Sequence, residues 1–179
     1  MKYPWYKKLE QQDYSLQQGD LINNCPILIP PKIIEKDTTP LIDIRQYDIV
    51  IISQSCDLEQ NKLDIVLVCP YISLQVFFEL LPQNEQTTKA KRKHFDKLKQ
   101  GLQPNYHLLN KGEEFGIAEH LVVDFRNVYG VHLDFLKEHV KETDVRIRLL
   151  PPYREHLSQG FARFFMRVGL PQSVDNLQL

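Results

Sequence analysis

Two continuous β-branched runs, Ile49-Val50-Ile51-Ile52 and Ile65-Val66-Leu67-Val68, flank the polar stretch Ser53 to Lys62. Runs this short and apolar read as strands, and their lack of alternation predicts cover on both faces. A chain that must bury two such strands is committed to a core built around a sheet. The polar stretch between them is read as a loop, held by its flanks where side chains can be positioned for chemistry.

Weaker strand signals surround this pair. Gly19-Asp20 opens Leu21-Ile22, and Pro26 to Ile29 is stopped by Pro30-Pro31. Tyr106 to Leu109 reads as a short strand. Leu121, Val123 and Phe125 alternate with Val122, Asp124 and Arg126, the period of a half-buried strand. Val145, Ile147 and Leu149 alternate with Arg146 and Arg148 in the same way. Helical spacing of Leu133, Leu136 and Val140 predicts a helix over 132–142. A last helix is expected from Tyr153 to Val168, after Pro152 and before Gly169 and Pro171.

At 179 residues with 42% apolar content, the chain fits one domain, a sheet region over 19–130 followed by a helical extension over 131–179. No apolar run is long enough to span a bilayer, and the N-terminus lacks a secretory signal. Three unpatterned cysteines argue against a disulfide framework and fit a cytoplasmic protein. Nothing in the sequence calls for a cofactor. Metal binding is not indicated, because Cys25, Cys56 and Cys69 are widely spaced and His132 and His139 stand two turns apart.

The net charge of −1 hides one asymmetry. Lys89, Lys91, Arg92, Lys93, Lys97 and Lys99 face a single acid, Asp96, giving a local +5 that leaves −6 elsewhere. Thr87 or Thr88 can cap this helix and Gly101 can end it. Only Phe95 and Leu98 give it apolar contact, so it is either a solvated face or a phosphate-contacting arm.

Gly19-Asp20-Leu21-Ile22, Ile49 to Ser53, and Ile65-Val66-Leu67-Val68-Cys69-Pro70 resemble the first three strands of the MazF/PemK-type growth-inhibitor toxins. His120 to Tyr129 and Leu133 to Leu136 are similar to their late strand and following helix. The resemblance spans about 19–140, with the basic helix as an insertion. It implies an α+β fold: a small, bent, mostly antiparallel SH3-like β-barrel, with the C-terminal helix packed on it. Those endoribonucleases carry an arginine and a threonine for catalysis. Here Tyr47-Asp48 stands at the arginine's place, with Arg45 two residues early, and Ser73 lies near the threonine's place. The C-terminal segment and Ser53 to Leu58 resemble a bacterial family without an assigned activity.

Two further constellations are candidates for function. Gln54-Ser55-Cys56-Asp57 echoes the strand-Gln-x-Cys pattern of caspase-type proteases, making Cys56 and Asp57 candidate catalytic residues beside Ser53. Alternatively Ser53, Ser55 and Asp57 close the strand through backbone hydrogen bonds, and Cys56 is a small buried apolar group. On the C-terminal helix, Leu157, Phe161, Phe164, Phe165 and Val168 form an apolar face expected to bury at least one ring fully. Gln159, Arg163 and Arg167 form a stripe beside it, able to pair with Asp57, Asp124 or Glu155, or to grip phosphates. Gly160 in that helix predicts a close backbone approach.

The leading expectation is a nucleic-acid-binding or RNA-targeting module of toxin or defence type, taking RNA or single-stranded DNA. Its contacts would come from Lys89, Lys91, Arg92, Lys93, Lys97, Arg126, Arg163 and Arg167. The competing expectations are a protein-interaction module and a hydrolase using Ser53, Cys56 and Asp57. No membrane partner is expected, and self-association stays open.

Overall fold

A computed structural model describes residues 3–10, 12–36, 39–143 and 145–166. The run at 49–52 ends strand β3 (Asp43–Ile51), and the run at 65–68 begins β4 (Ile65–Ser73). They pair antiparallel, with Val50 opposite Cys69. On the other side of β3 lies β2 (Asp20–Ile29), which unites the two segments expected around Leu21 and Ile27. Between them Asn24 takes a positive φ of 51° at a bulge, and its amide donates to Asp48 Oδ1 at 2.9 Å.

The other strands are β1 (Tyr6–Lys8), β5 (Tyr106–Leu109), β6 (Leu121–Asp124), β7 (Tyr129–His132) and β8 (Ile147–Leu149). The sheet runs β1-β8-β2-β3-β4-β6-β5, with β7 paired to the start of β4, and every pairing is antiparallel. The fold is α+β, and the sheet is open: β1 and β5 are not paired as strands. They are linked instead by a side chain, the Tyr6 hydroxyl donating to the Asn110 carbonyl at 2.5 Å.

Helix α1 (Ser55–Glu59) occupies the stretch expected as a loop, and α2 (Leu74–Glu79) follows β4 directly. Helix α3 (Thr88–Lys99) matches the basic helix: Thr87 caps Ala90 N–H and Gly101, at φ 67°, ends it. Helices α4 (Leu133–His139) and α5 (Tyr153–Phe165) complete the set. No helix among the described residues is long and apolar enough to cross a membrane.

Both faces of the β3 run are covered. Ile49 and Ile51 pack with Leu58 of α1 and Leu133 and Leu136 of α4, whereas Val50 and Ile52 pack with Leu149 and Leu157. The β4 run differs from expectation. Val66 and Val68 are buried, but Ile65 and Leu67 are exposed on the other face. There Ile65 lies over Gly130, where a Cβ would sit 2.7 Å from its Cγ2, so the side chain covers bare backbone. Strand β6 departs the opposite way. Val122 and Val123 are both buried, because Phe77 of α2 and Leu98 of α3 cover the Val122 side.

Helix α5 docks through Leu157 rather than a phenylalanine. Phe161 and Phe164 are half-buried against Phe125, and Phe165 is exposed, so no ring of the three is fully buried. Phe161 and Phe164 flank the Phe125 ring, with centroids 5.5 and 6.3 Å away, at the margin of the cluster around Leu157.

The alternation around β8 does not put its cations in solvent. Arg146, Arg148 and Asp20 are all buried. Arg148 donates through Nε and Nη2 to the two oxygens of Asp20, and Arg146 Nη1 reaches Oδ2 at 3.4 Å. Their remaining donors go to the Ser15 carbonyl, at 2.9 and 3.0 Å, and to the Asp13 carbonyl. Gln17 N–H adds a bond to Asp20 at 3.1 Å. Removing one charge from such a cluster leaves the others buried and unpaired, which costs about 3–5 kcal/mol. Asp20→Asn is therefore expected to lose about that much in urea unfolding; a loss below about 1 kcal/mol would show that the cluster is dispensable.

Candidate nucleic-acid interface

The end of α3, the strand β5 and the outer side of α5 enclose a groove. Its main part holds about 600 Å³, walled by Phe95, Lys99, Tyr106, His107, Tyr153 and His156 among others. A smaller section of about 310 Å³ continues along α5 past His156, Gln159 and Arg163. These three share one helical stripe with Gly160. A Cβ at Gly160 would meet His107 Nδ1 at 3.0 Å and Phe125 at 3.3 Å, so the missing side chain lets α5 approach the strand. The close approach expected of this glycine is thus present.

Aromatic surface lines the other end. Trp5 and Tyr153 stack with centroids 3.6 Å apart, and Phe95 lies 5.3 Å from His120. The His120 Nδ1 atom is buried without a hydrogen-bond partner. Among the described residues, none that lines either section is acidic, in a chain with 23 carboxylates. Another cavity, of about 640 Å³, carries Asp48, Glu114 and Glu119 in its lining.

The expected phosphate contacts divide by how their charge is used. None of the six α3 cations forms an ion pair among the described residues. Lys91 is half-buried over the Phe78 ring at 5.7 Å, and Lys97 is half-buried. Lys89, Arg92, Lys93 and Lys99 are exposed; Lys99 lines the groove with Phe95, and Arg92 is three residues before Phe95 but outside the lining. Arg126 lies 4.8 Å over the Tyr106 ring at the groove's edge, but its fork is taken by Asp124 at 2.9 and 2.7 Å. Arg163 is exposed and reaches neither Asp124 nor Glu155, which pair with Arg126 and Arg154. Arg167 lies outside the described residues.

Cys56 and Asp57 are not part of this groove. Cys56 is exposed on the first turn of α1, so it is not a buried apolar group. Its thiol lies 3.7 Å from Gln54 Oε1 and from Asp57 Oδ1, and no described histidine hydrogen-bonds it. A cysteine nucleophile needs a base to take its proton, and the acceptors within reach of this thiol are the Gln54 amide oxygen and the Asp57 carboxylate. Ser53 and Ser55 instead stitch the segment to its neighbours, accepting from Leu67 N–H at 2.9 Å and Gln18 N–H at 3.1 Å. Ser73 caps α2, and Arg45 pairs with Asp43. Among the described residues no three His, Cys, Asp or Glu side chains converge as metal ligands.

Sequence reading missed Trp5, His107, His120, Tyr153 and His156, treating the histidines as scattered polar residues. The available signal was Gly160, which required an α5 neighbour close enough to touch. No family model, no curated protein and no solved structure matches this chain.

Burial pushes the His107 imidazole down to about 4, and the neighbouring His156 adds to this. In the unfolded chain the group titrates near 6.5. Between these values the unfolded state binds more protons, so stability is complete above pH ~6.5 and falls as the pH drops toward ~4. The loss over this window approaches about 2–3 kcal/mol, and His107→Gln should flatten it in denaturant melts across that range. An equally steep decline in the variant would sink the assignment.

The thiols give a second test. Burial pushes Cys25 up to about 11 and Cys69 up to about 12, with Asp124 adding to the latter. Only Cys56 is exposed. An aromatic disulfide reagent should therefore titrate one thiol in the native protein and three after denaturation. Cys56→Ser should abolish the native signal.

Proposed function

We propose that the protein binds single-stranded nucleic acid, RNA or DNA, along the groove between α3, β5 and α5. One observation carries this reading: among the described residues the groove has no carboxylate in its lining and is bordered by cations that form no ion pair. Its size suits one or two nucleotide units, since ligand pockets of this kind run to about 300–1,000 Å³. Rings such as Tyr106 and Phe95 offer stacking surfaces, Lys99 and Arg163 offer phosphate contacts from the lining, and the exposed Arg92, one turn before Phe95, stands beyond it.

We further read the β2-β3-β4 meander with β7 and α4 as an opened relative of the SH3-like, MazF/PemK-type barrel, which favours a toxin or defence setting. Support for this finer reading is the antiparallel strand order and the bend that brings Tyr6 to Asn110. The reading concerns binding alone: Arg45 is engaged by Asp43, and Ser73 by the cap of α2.

Trp5 is the sole tryptophan of the chain and lines the groove, so its fluorescence reports occupancy. Adding a labelled single-stranded oligonucleotide should change that signal and raise anisotropy together, more weakly as salt increases. Replacing Arg92, Lys99 and Arg163 by Gln should shift stability by no more than about 0.5 kcal/mol. The slope of log affinity against log salt should become shallower by roughly 0.7 per lost contact. If neither RNA nor DNA changes either signal at low salt, the groove does not bind nucleic acid.

A further inference from the structure

The hairpin of β2 and β3 reaches beyond the rest of the sheet. β3 is paired to β4 only over Ile49–Ile51, and β8 pairs β2 only at Asp20 and Leu21. Over Asp43–Tyr47 the outer edge of β3 therefore makes no backbone hydrogen bond with another described segment. An open edge of this kind is a template for another strand. The same arm exposes aliphatic side chains: Leu28 is 62%, Ile42 56% and Ile44 60% exposed, and Ile33, Ile34 and Leu41 are exposed further out. Leu28 and Ile44 face each other across the hairpin on one surface.

We propose that the protein forms a two-fold homodimer in which the β3 edges of two copies pair antiparallel, centred on Ile44. The occupant follows from the sequence of the edge itself. Two neighbouring antiparallel copies of one strand are related by a rotation axis perpendicular to the sheet, which keeps each face on its own side. Directly opposed residues must then share a face, which restricts the centre of symmetry to a residue. Centring on Asp43 opposes two carboxylates, and centring on Arg45 opposes two guanidiniums. Centring on Ile44 sets Asp43 against the partner's Arg45 and Arg45 against the partner's Asp43, with the two Ile44 side chains opposed on the other face of the sheet.

The edge is thus complementary to itself in one register and repulsive in the two adjacent ones, the pattern that specifies pairing rather than merely permitting it. Within one chain Arg45 Nε already holds Asp43 Oδ2 at 2.7 Å, both side chains more than half exposed, so the exchange to a partner requires no buried group to move. On the opposite surface, Ile42 and Ile44 of both copies come together and extend the aliphatic strip formed with Leu28.

Sedimentation velocity on the full chain, without nucleic acid and at low salt, tests this. The wild type should be dimeric at tens of micromolar. Asp43→Arg and Arg45→Asp should each weaken the dimer at least about tenfold, because each sets like charges across the axis. Combining D43R with R45D restores opposite charges and should recover affinity to within about threefold of wild type. Circular dichroism checks that each variant is folded. A wild type that stays monomeric at about 100 μM overturns the proposal. So does a dimer indifferent to both single exchanges, or a double variant no tighter than the singles.

Discussion

The carboxylate of Asp20 is the point on which the chain's ends meet. One acid sits between two guanidiniums with all three buried, so the cluster carries an excess positive charge out of reach of water. The desolvation cost is offset only if every remaining donor finds an acceptor. The acceptors are the carbonyls of Asp13 and Ser15, which obliges the segment before β2 to lie across the cluster. That requirement places β8 between β1 and β2, and β1 brings Trp5 onto Tyr153. One wall of the groove is in this way set by an ion cluster built from residues more than a hundred positions apart.

How far the sequence was readable follows from how local each signal is. β3 and α3 were legible because a β-branched run and a Thr-capped, Gly-ended helix carry their own instructions within a dozen residues. The β8 cluster was not. Arg146 and Arg148 alternating with apolar neighbours follow the pattern of a strand with one wet face, and only the distant Asp20 makes the charged face a buried one. Helices α1 and α2 are five and six residues long, too short for a periodic pattern to show. Of the candidate site, the cations and Gly160 could be found, but the histidines could not, since β5 and α5 converge only in three dimensions.

Counting cations along the sequence overstates the interface in one place and understates it in another. Arg126 counts as a contact by composition, yet Asp124, two residues earlier, already occupies both arms of its fork. Lys91 holds its ammonium over the Phe78 ring, so part of its charge is already engaged within the fold. Lys99 had the least prominent position in the basic run, at its end, and yet the helix terminus puts it in the groove lining. What recommends a cation for phosphate binding is charge not already spent within the fold.

The same principle relates the groove to the β3 edge. In the proposed reading, a groove served by three cations that form no ion pair among the described residues, on a chain whose remaining charge is negative, would bind a polyanion weakly at physiological salt, because each contact is screened. Pairing through Asp43 and Arg45 spends charges of both signs and leaves the net charge of each copy unchanged, so it adds no repulsion toward nucleic acid. A two-fold dimer also presents the groove twice. A strand long enough to span both then dissociates only when both contacts open, and the second contact forms at the high effective concentration set by the first. Affinity gained this way needs no further basic residues, which suits a nearly neutral chain whose one local excess of positive charge is helix α3.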